Sequence, residues 1–174
     1  LFFFEPGDLT KLVGGIAESY EFSDDGKKIT VKLRPGLTFH SGNPVTSADV
    51  AYSLARAVKL DKTPAFIIKQ IGWTKDNVDE AVKAIDPMTV EINILADMSP
   101  ALVLNLLSAS VASIVDMKEV EAHAVDGDMG YAWLKDHSAG SGAYKLKSWK
   151  ANELVMLEAF DKFRYGKPPM KRVV

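Results

Sequence analysis

The chain has 174 residues, of which 47% are hydrophobic and 25% are charged, and its formal net charge is −2. This length allows one domain with its own core, since domains commonly contain about 100–150 residues. No basic block and no basic stripe with interleaved aromatic residues occurs, which argues against a nucleic-acid partner. The apolar runs are far shorter than the roughly 20 residues of a membrane-spanning helix. Cysteine is absent, which excludes thiol catalysis, disulfides and thiolate metal sites but fits periplasm and cytosol equally.

Both ends of the sequence have the character of strands. Residues 1–4 are apolar but lack a basic leader and a small-residue cleavage site, so they are not a secretory signal. We expect them to form a strand in register with a segment that precedes it, and residues 170–174 to begin another strand. Both ends therefore predict a fragment of a longer protein.

The segment 17–34 predicts a β-hairpin. Apolar and polar residues alternate from Lys28 to Arg34, which is typical of a strand with one buried face. Residues 17–22 are its plausible partner. Asp25-Gly26 in the connection is a strong hairpin signal, because glycine adopts the positive φ that the turn requires.

The clearest helix start lies at Thr46. Thr46 and Asp49 have the spacing of a capping box, with aspartate in place of the usual glutamate, and Val45 and Val50 have the spacing of a hydrophobic staple. Apolar residues then recur at helical spacing as far as residue 58. The sequence predicts a helix over about 47–59.

The middle of the chain predicts short helices around a second hairpin. Helical pieces over 64–82 are broken near Gly72-Trp73, with Asp76 as a possible cap. Hairpin arms at 81–85 and 90–95 turn around Pro87, whose φ is pre-set for a turn. A helix begins at Ser99-Pro100, with Leu102, Leu106 and Leu107 facing the core. Two shorter helices are expected at about 116–124 and within 127–137.

A third hairpin is expected near the end of the chain, with arms at 143–149 and 154–160. The second arm is apolar on both faces, so we place it centrally in a sheet. The order of elements predicts the α+β class (mixed α/β): a hairpin-rich mixed sheet with flanking helices.

Five ordered segments carry a resemblance to a known family. Residues 33–50, LRPGLTFHSGNPVTSADV, resemble the LRxGVxFHDGxPLTAEDV segment of the bacterial extracellular solute-binding proteins of family 5, the peptide/nickel type that serves ABC importers. Similar matches follow for LVGGIAESYE, SDDGKKITVKL, GSGAYKLKSW and YGKPPMKRVV. The sequence departs from the family at Gly14 and Ala143, where proline is usual, and at Ser41, where aspartate is frequent.

The resemblance implies a bilobal, periplasmic-binding-protein-like fold whose two lobes close around a ligand. Residues 1–174 would then be a single partial domain: the outer subdomain of the first lobe, ending in its return hairpin. The rest of lobe I and all of lobe II would lie outside this chain. The parent protein would be exported to the periplasm, with its signal peptide also outside the chain.

As to function, the resemblance implies the substrate-binding component of an ABC importer, with neither catalysis nor a cofactor. Its partners would be a small-molecule or oligopeptide ligand and the ABC permease subunits of the inner membrane, and the fragment itself would be monomeric or weakly self-associating. Two alternatives stay open. One is the solute-sensing domain of a transcriptional regulator with the same fold, and the other is a hydrolase that uses His40 and Asp49.

The titratable residues favour structural roles. No two histidines have metal-ligand spacing, so no metal site is predicted. His40 is interpreted as ordering the loop before the capped helix, His123 as facing solvent, and His137 as closing a helix C-terminus. Carboxylate pairs such as Asp24-Asp25 lie on a turn or a polar helix face, where groups do not converge for acid–base work. No catalytic residue is predicted.

Candidate ligand contacts come from the resemblance, which gives the outer subdomain part of the pocket wall. The positions after the capped helix are Phe66 and Gln70; the others are Ser108, Ala109, Ser110, Gly140, Ser141 and Gly142. Small residues and backbone amides suit a groove that accepts an extended peptide or a small solute. The structural alternatives are core packing for Phe66 and Trp73 and a tight turn for the serines and glycines.

Overall fold

A computed structural model describes residues 1–5 and 7–174, the side chain of Leu9 excepted, and these residues divide into two units. Unit 1 comprises residues 1–35 and 46–114, and unit 2 comprises residues 36–45 and 115–174. The chain thus leaves unit 1 for ten residues before the capped helix and leaves it again after residue 114. That the two units form one partial domain of a larger lobe stays a prediction.

Unit 1 contains two antiparallel sheets. One has two strands, β1 and β2, and the other has four strands in the order β3-β4-β6-β5. Their bounds are β1 Phe2–Glu5, β2 Asp8–Gly14, β3 Ala17–Phe22, β4 Lys28–Leu33, β5 Val82–Asp86 and β6 Thr89–Asn93. The first two predicted hairpins are therefore confirmed.

Strand β4 shows why the alternating pattern was informative. Ile29 and Val31 are fully buried, and Leu33 is 3% exposed, whereas the residues between them are less buried. Gly26 adopts φ +66° in the β3–β4 connection, as the Asp-Gly signal predicts. The strand pairs with β3 on one side and β6 on the other, so it is an inner strand of the sheet.

The helices of unit 1 are α1 Ser47–Leu60, α2 Phe66–Lys69, α3 Val78–Ala81 and α4 Pro100–Ser108, followed by a 3-10 helix over Ser110–Ala112. Helix α1 packs against β5 and β6. Its predicted capping box is present: the backbone N–H and the hydroxyl of Thr46 both donate to Asp49 Oδ2, at 2.9 and 2.7 Å. Because this cap is a local pairing, its sequence signal was sufficient.

Two local predictions for unit 1 were wrong. Leu102 is 43% exposed, and Val103 faces the core instead, because positions 103, 106 and 107 share one helix face. The cap of α3 is Asn77 rather than Asp76, and its side chain accepts a hydrogen bond from Thr74 N at 2.7 Å. The first strand pairs with β2, which follows it in the chain. That it also lies in register with a segment that precedes it stays a prediction.

Unit 2 contains helix α5 Met117–Ala122, a 3-10 helix over Trp133–Lys135, and the antiparallel strands β7 Tyr144–Lys150, β8 Leu154–Ala159 and β9 Arg172–Val173. The sheet order is β7-β8-β9, so β8 is central, as its apolar faces predict. The strand expected at the end of the chain is β9. Together the two units confirm the α+β class.

Gly72 offers a test of the packing in unit 1. Its φ is +95°, and a Cβ there would lie 2.8 Å from Leu95 Cβ and 2.9 Å from Ala96 N. Ala96 cannot move away freely, since its N–H donates to Ile71 O at 3.0 Å. We expect Gly72→Ala to lower the free energy of unfolding by about 2–4 kcal/mol, from the left-handed conformation and the overlap together.

Gly26→Ala is the matched control, because Gly26 has φ +66° but no described atom within 4 Å of a new Cβ. It should cost only the conformational part, about 1 kcal/mol. Urea denaturation of both variants measures the difference. Equal losses would contradict the close packing at Gly72.

Candidate functional site

The candidate residues of unit 1 lie on short helices that pack against each other. Helix α2 contacts both α4 and the 3-10 helix over Ser110–Ala112. Phe66 begins α2 and is 63% exposed, so the alternative of core packing is wrong for this residue. Trp73, by contrast, is 1% exposed, and its Nε1–H donates to Asn93 O at 3.0 Å. Phe66 therefore offers an uncommitted aromatic surface.

The other unit 1 candidates present small or amide groups beside it in the same cluster of helices. Gln70 caps α2 and is exposed, and its side chain donates only a long bond of 3.4 Å to Ile67 O. Ala109 has extended φ and ψ and joins α4 to the 3-10 helix, between Ser108 and the exposed Ser110. We call Phe66, Gln70, Ser108, Ala109 and Ser110 the α2/α4 surface. It combines one exposed ring with polar groups and little side-chain bulk.

The candidate loop of unit 2, residues 140–142, is held by His40. The backbone N–H of His40 donates to Gly140 O at 2.9 Å, and His40 Nε2 lies 2.9 Å from Gly142 O. Neither Gly140 nor Gly142 has a positive φ, and a Cβ on either would meet no described atom closer than 3.9 Å. The glycines here are therefore not required by backbone conformation or by packing.

His40 is an anchor for this loop. Because Gly142 O is an acceptor, His40 Nε2 carries the proton, and Nδ1 is buried without a partner in the described part of the chain. The ring packs edge-on against Phe160, with 4.9 Å between centroids. Burial lowers the pKa of His40, the charge of Lys145 lowers it further, and the bond to Gly142 opposes both. The imidazole is thus kept neutral.

The hydrolase reading finds no support in these contacts. His40 Nε2 is committed to a main-chain carbonyl, and the Asp49 carboxylate is committed to the cap of α1. The two residues also belong to different units. The interpretation of His40 as a residue that orders its loop fits this geometry, although its partners are Gly140 and Gly142 rather than neighbours in sequence.

A buried carboxylate that the sequence analysis missed lies at Asp116, which is 1% exposed. Its Oδ2 accepts from Ser41 Oγ at 2.5 Å and from Asn43 Nδ2 at 2.9 Å. Its Oδ1 accepts from Glu119 N at 3.2 Å, which caps α5, and its own N–H donates to Ala139 O at 2.8 Å. The only sequence signal was an aspartate at a helix start.

The remaining two histidines enclose Trp133. His123 stacks on one side of the indole at 4.3 Å and His137 stacks at 4.7 Å, with interplanar angles of 10° and 14°. His123 is exposed as expected, and His137 Nδ1 lies 3.1 Å from Trp133 O, where the helix ends. Because the indole stands between the imidazoles, they cannot share a metal ion. Across the described residues no group of three metal-binding side chains converges.

Comparison with known proteins identifies the family of this chain. Residues 11–174 match the family model of the bacterial extracellular solute-binding proteins, family 5 Middle. The chain belongs to this family. A relative, the probable D,D-dipeptide-binding periplasmic protein DdpA of Escherichia coli (strain K12), is 31% identical over 94% of this chain and 30% of its own length. The glutathione-binding protein GsiB of Escherichia coli O157:H7 is 32% identical over 86% of this chain and 26% of its own length.

Solved structures agree with the fold. MoaA of A. tumefacien R10, in complex with mannopinic acid, shares 27% identity and a TM-score of 0.77 over 99% of this chain and 32% of its own. DppA of Helicobacter pylori, in complex with the peptide STSA, gives the same TM-score at 21% identity, which shows the fold alone. The chain therefore spans about 30% of the relatives it matches. In the described residues no helix is both long and apolar enough to cross a membrane.

The family match confirms the resemblance that the five ordered segments carried. The names of the relatives are those of solute-binding proteins, and none of them favours the regulator alternative. The eight candidate ligand contacts remain predictions.

The Asp116 network predicts the effect of restoring the residue that is frequent in the family at position 41. Ser41→Asp would replace a hydroxyl donor by a second carboxylate beside the buried Asp116. We expect a loss of about 2–4 kcal/mol in the free energy of unfolding at pH 7, from the lost donor and the like-charge repulsion.

Ser113→Asp is the control, since Ser113 is an exposed serine. It should stay within about 0.5 kcal/mol of the parent chain. Urea denaturation at pH 7 makes the comparison. If Ser41→Asp behaved like Ser113→Asp, the buried network would not be the constraint described.

The lowered pKa of His40 predicts how stability depends on pH. In the unfolded chain the imidazole titrates near its ordinary value of about 6.5, so below that pH the unfolded state binds more protons than the folded state. The contribution of His40 is therefore complete above pH 6.5 and is lost as the pH falls through the folded pKa. His40→Gln should remove this dependence, so that the stability difference between parent and variant narrows from pH 7.5 to pH 5.

His123→Gln serves as the comparison, because His123 is exposed and stacks on Trp133. Denaturant unfolding at four pH values measures all three chains. A parent-to-variant difference that is constant with pH for His40→Gln would contradict the assignment of a neutral buried imidazole.

Proposed function

We propose that this chain is part of the substrate-binding component of an ABC importer, which captures a peptide or another small solute and delivers it to the membrane permease. The observation that carries the proposal is the match to the solute-binding family over residues 11–174, with DdpA and GsiB named for peptide ligands. The parent protein would act in the periplasm, as the relative DdpA does by its name. No step of catalysis is involved.

Within the chain, the α2/α4 surface supplies one wall of the ligand pocket. Phe66 can cover an apolar side chain or a peptide plane, because most of its surface is exposed. Gln70 has donor and acceptor capacity to spare for a peptide group. Ser108, Ala109 and Ser110 let a backbone approach closely. This combination of one ring and a few polar groups is typical of small-molecule sites.

The loop at Gly140, Ser141 and Gly142, taken by itself, is a second candidate ligand contact and belongs to unit 2. His40 fixes the carbonyls of both glycines, so the loop is ordered before a ligand arrives. A preordered loop lowers the entropic cost of binding. Because most of the relatives' length lies beyond the matched region, binding would depend on closure of further segments over these contacts.

The test uses the full-length protein that contains this chain. Native mass spectrometry identifies the co-purified solute, and calorimetry then compares Phe66→Ala with the parent protein, using that solute or, failing one, glutathione and a D,D-dipeptide. We expect Phe66→Ala to weaken binding about tenfold, which corresponds to about 1.4 kcal/mol of lost ring contact.

Val125→Ala is the control, because Val125 is 62% exposed, almost as much as Phe66, and lies in the other unit. It should leave Kd within twofold of the parent value. Unchanged binding for Phe66→Ala would remove the α2/α4 surface from the pocket. Absence of binding to any solute in the parent protein would overturn the proposed function.

A further inference from the structure

A cavity of about 430 Å³ in unit 2 is rich in lysine. Its lining includes Lys145, Lys162, Lys167 and Lys171. The chain as a whole has a net charge of −2, so four ammonium groups around one cavity run against its overall charge balance. Only two carboxylates, Glu158 and Asp161, share the lining, which leaves it a net charge of +2 with His40 neutral.

The two carboxylates do not neutralise the lysines evenly. Asp161 pairs with Lys167 at 3.0 Å, and Glu158 pairs at 3.7 Å with Lys147, which is not a cavity residue. Within the described residues, Lys145, Lys162 and Lys171 have no carboxylate within 4 Å. Three uncompensated ammonium groups therefore line one concave surface.

The backbone holds these lysines in place. Lys145 lies on β7 and is the cross-strand partner of Glu158 on β8. Lys171 adjoins β9, and its carbonyl accepts from Ala159 N at 3.0 Å. Lys162 lies in the turn after β8, closed by the bond from Phe163 N to Phe160 O at 3.1 Å. Sheet and turn thus keep the backbones of all three lysines around the same cavity.

The lysine charge affects another residue of the lining. His40, Ser41 and Gly42 also line the cavity, and the charge of Lys145 is one cause of the lowered pKa of His40. A neutral imidazole adds no charge of its own to the lining. An anion that enters the cavity thus meets the lysines as its source of positive charge.

We propose that this lysine cavity binds a small dianionic oxyanion, such as a phosphate group. A phosphate group near neutral pH carries a charge of about −1.5 to −2, which matches the net charge of the lining. Lysine suits such a ligand as a mobile point charge without the planar geometry of arginine, so the site would select for charge more than for shape. The volume leaves room for a substituent on the oxyanion. This site is separate in chemistry from the solute pocket proposed above.

The test uses the 174-residue chain with inorganic phosphate as the probe. Two-dimensional NMR follows the imidazole resonances of His40 during titration with phosphate or sulfate at pH 7.5, against sodium chloride at matched ionic strength. We expect saturable shifts at His40 with both dianions and none with chloride. Shifts that appear equally with chloride, or no shifts at all, would overturn the proposal.

Two double variants separate a site from general surface charge. Lys162→Gln with Lys171→Gln removes two uncompensated cavity charges, and we expect it to weaken phosphate binding at least tenfold. Lys118→Gln with Lys150→Gln removes the same charge from exposed positions outside the cavity and should change binding less than twofold. If both double variants weakened phosphate binding equally, the binding would reflect only long-range electrostatic attraction, and the proposed site would be wrong. None of these results bears on solute binding at the α2/α4 surface.

Discussion

Unit 2 depends on the buried carboxylate of Asp116. Residues 36–45 enter this unit from unit 1 and return after ten residues, so they need fixed partners within unit 2. Ser41 and Asn43 supply side-chain donors to Asp116, and the same residue caps α5 and donates its N–H to Ala139 O. A buried ionised group is tolerated only when its acceptor sites are filled. One carboxylate therefore links three segments. The loss of any one donor would leave a buried acceptor without a hydrogen bond, which lowers the free energy of unfolding.

The same constraint gives the most recognisable segment of the sequence a structural role. Residues 33–50 contribute a strand end, a loop and the start of α1, and several of their polar side chains form hydrogen bonds within the described part of the chain. His40 anchors the 140–142 loop, Ser41 and Asn43 satisfy Asp116, and Thr46 with Asp49 closes the helix. Family members that bind unrelated solutes can share such a segment, because it specifies how two elements of the scaffold begin. Under the proposed function, ligand selectivity is assigned to exposed residues such as Phe66 instead.

The predictable part of the fold was the part governed by short-range physics. Gly26 in a turn, Thr46 with Asp49 at a helix start and the apolar faces of β8 each report a structure within a few residues of themselves. The tertiary contacts could not be predicted from the sequence. Ser41 and Asp116 are 75 residues apart, and nothing in either residue indicates the other. The prediction that Leu102 faces the core was wrong for a related reason. Leucine and valine are both apolar, so only the packing of α4 decides which of the two adjacent positions, 102 or 103, is buried.

The exposure of Phe66 and the charge of the lysine cavity show how the same fold can hold two kinds of surface. A large aromatic ring left mostly exposed gives up burial that its size would otherwise favour, and such a residue is retained where a partner covers it. Uncompensated ammonium groups around a cavity carry a repulsive cost that an anion removes. As proposed, the first surface would recognise shape and apolar area, and the second would recognise charge. A solute that suits one surface has little to gain at the other, so the chain can present both without competition between them.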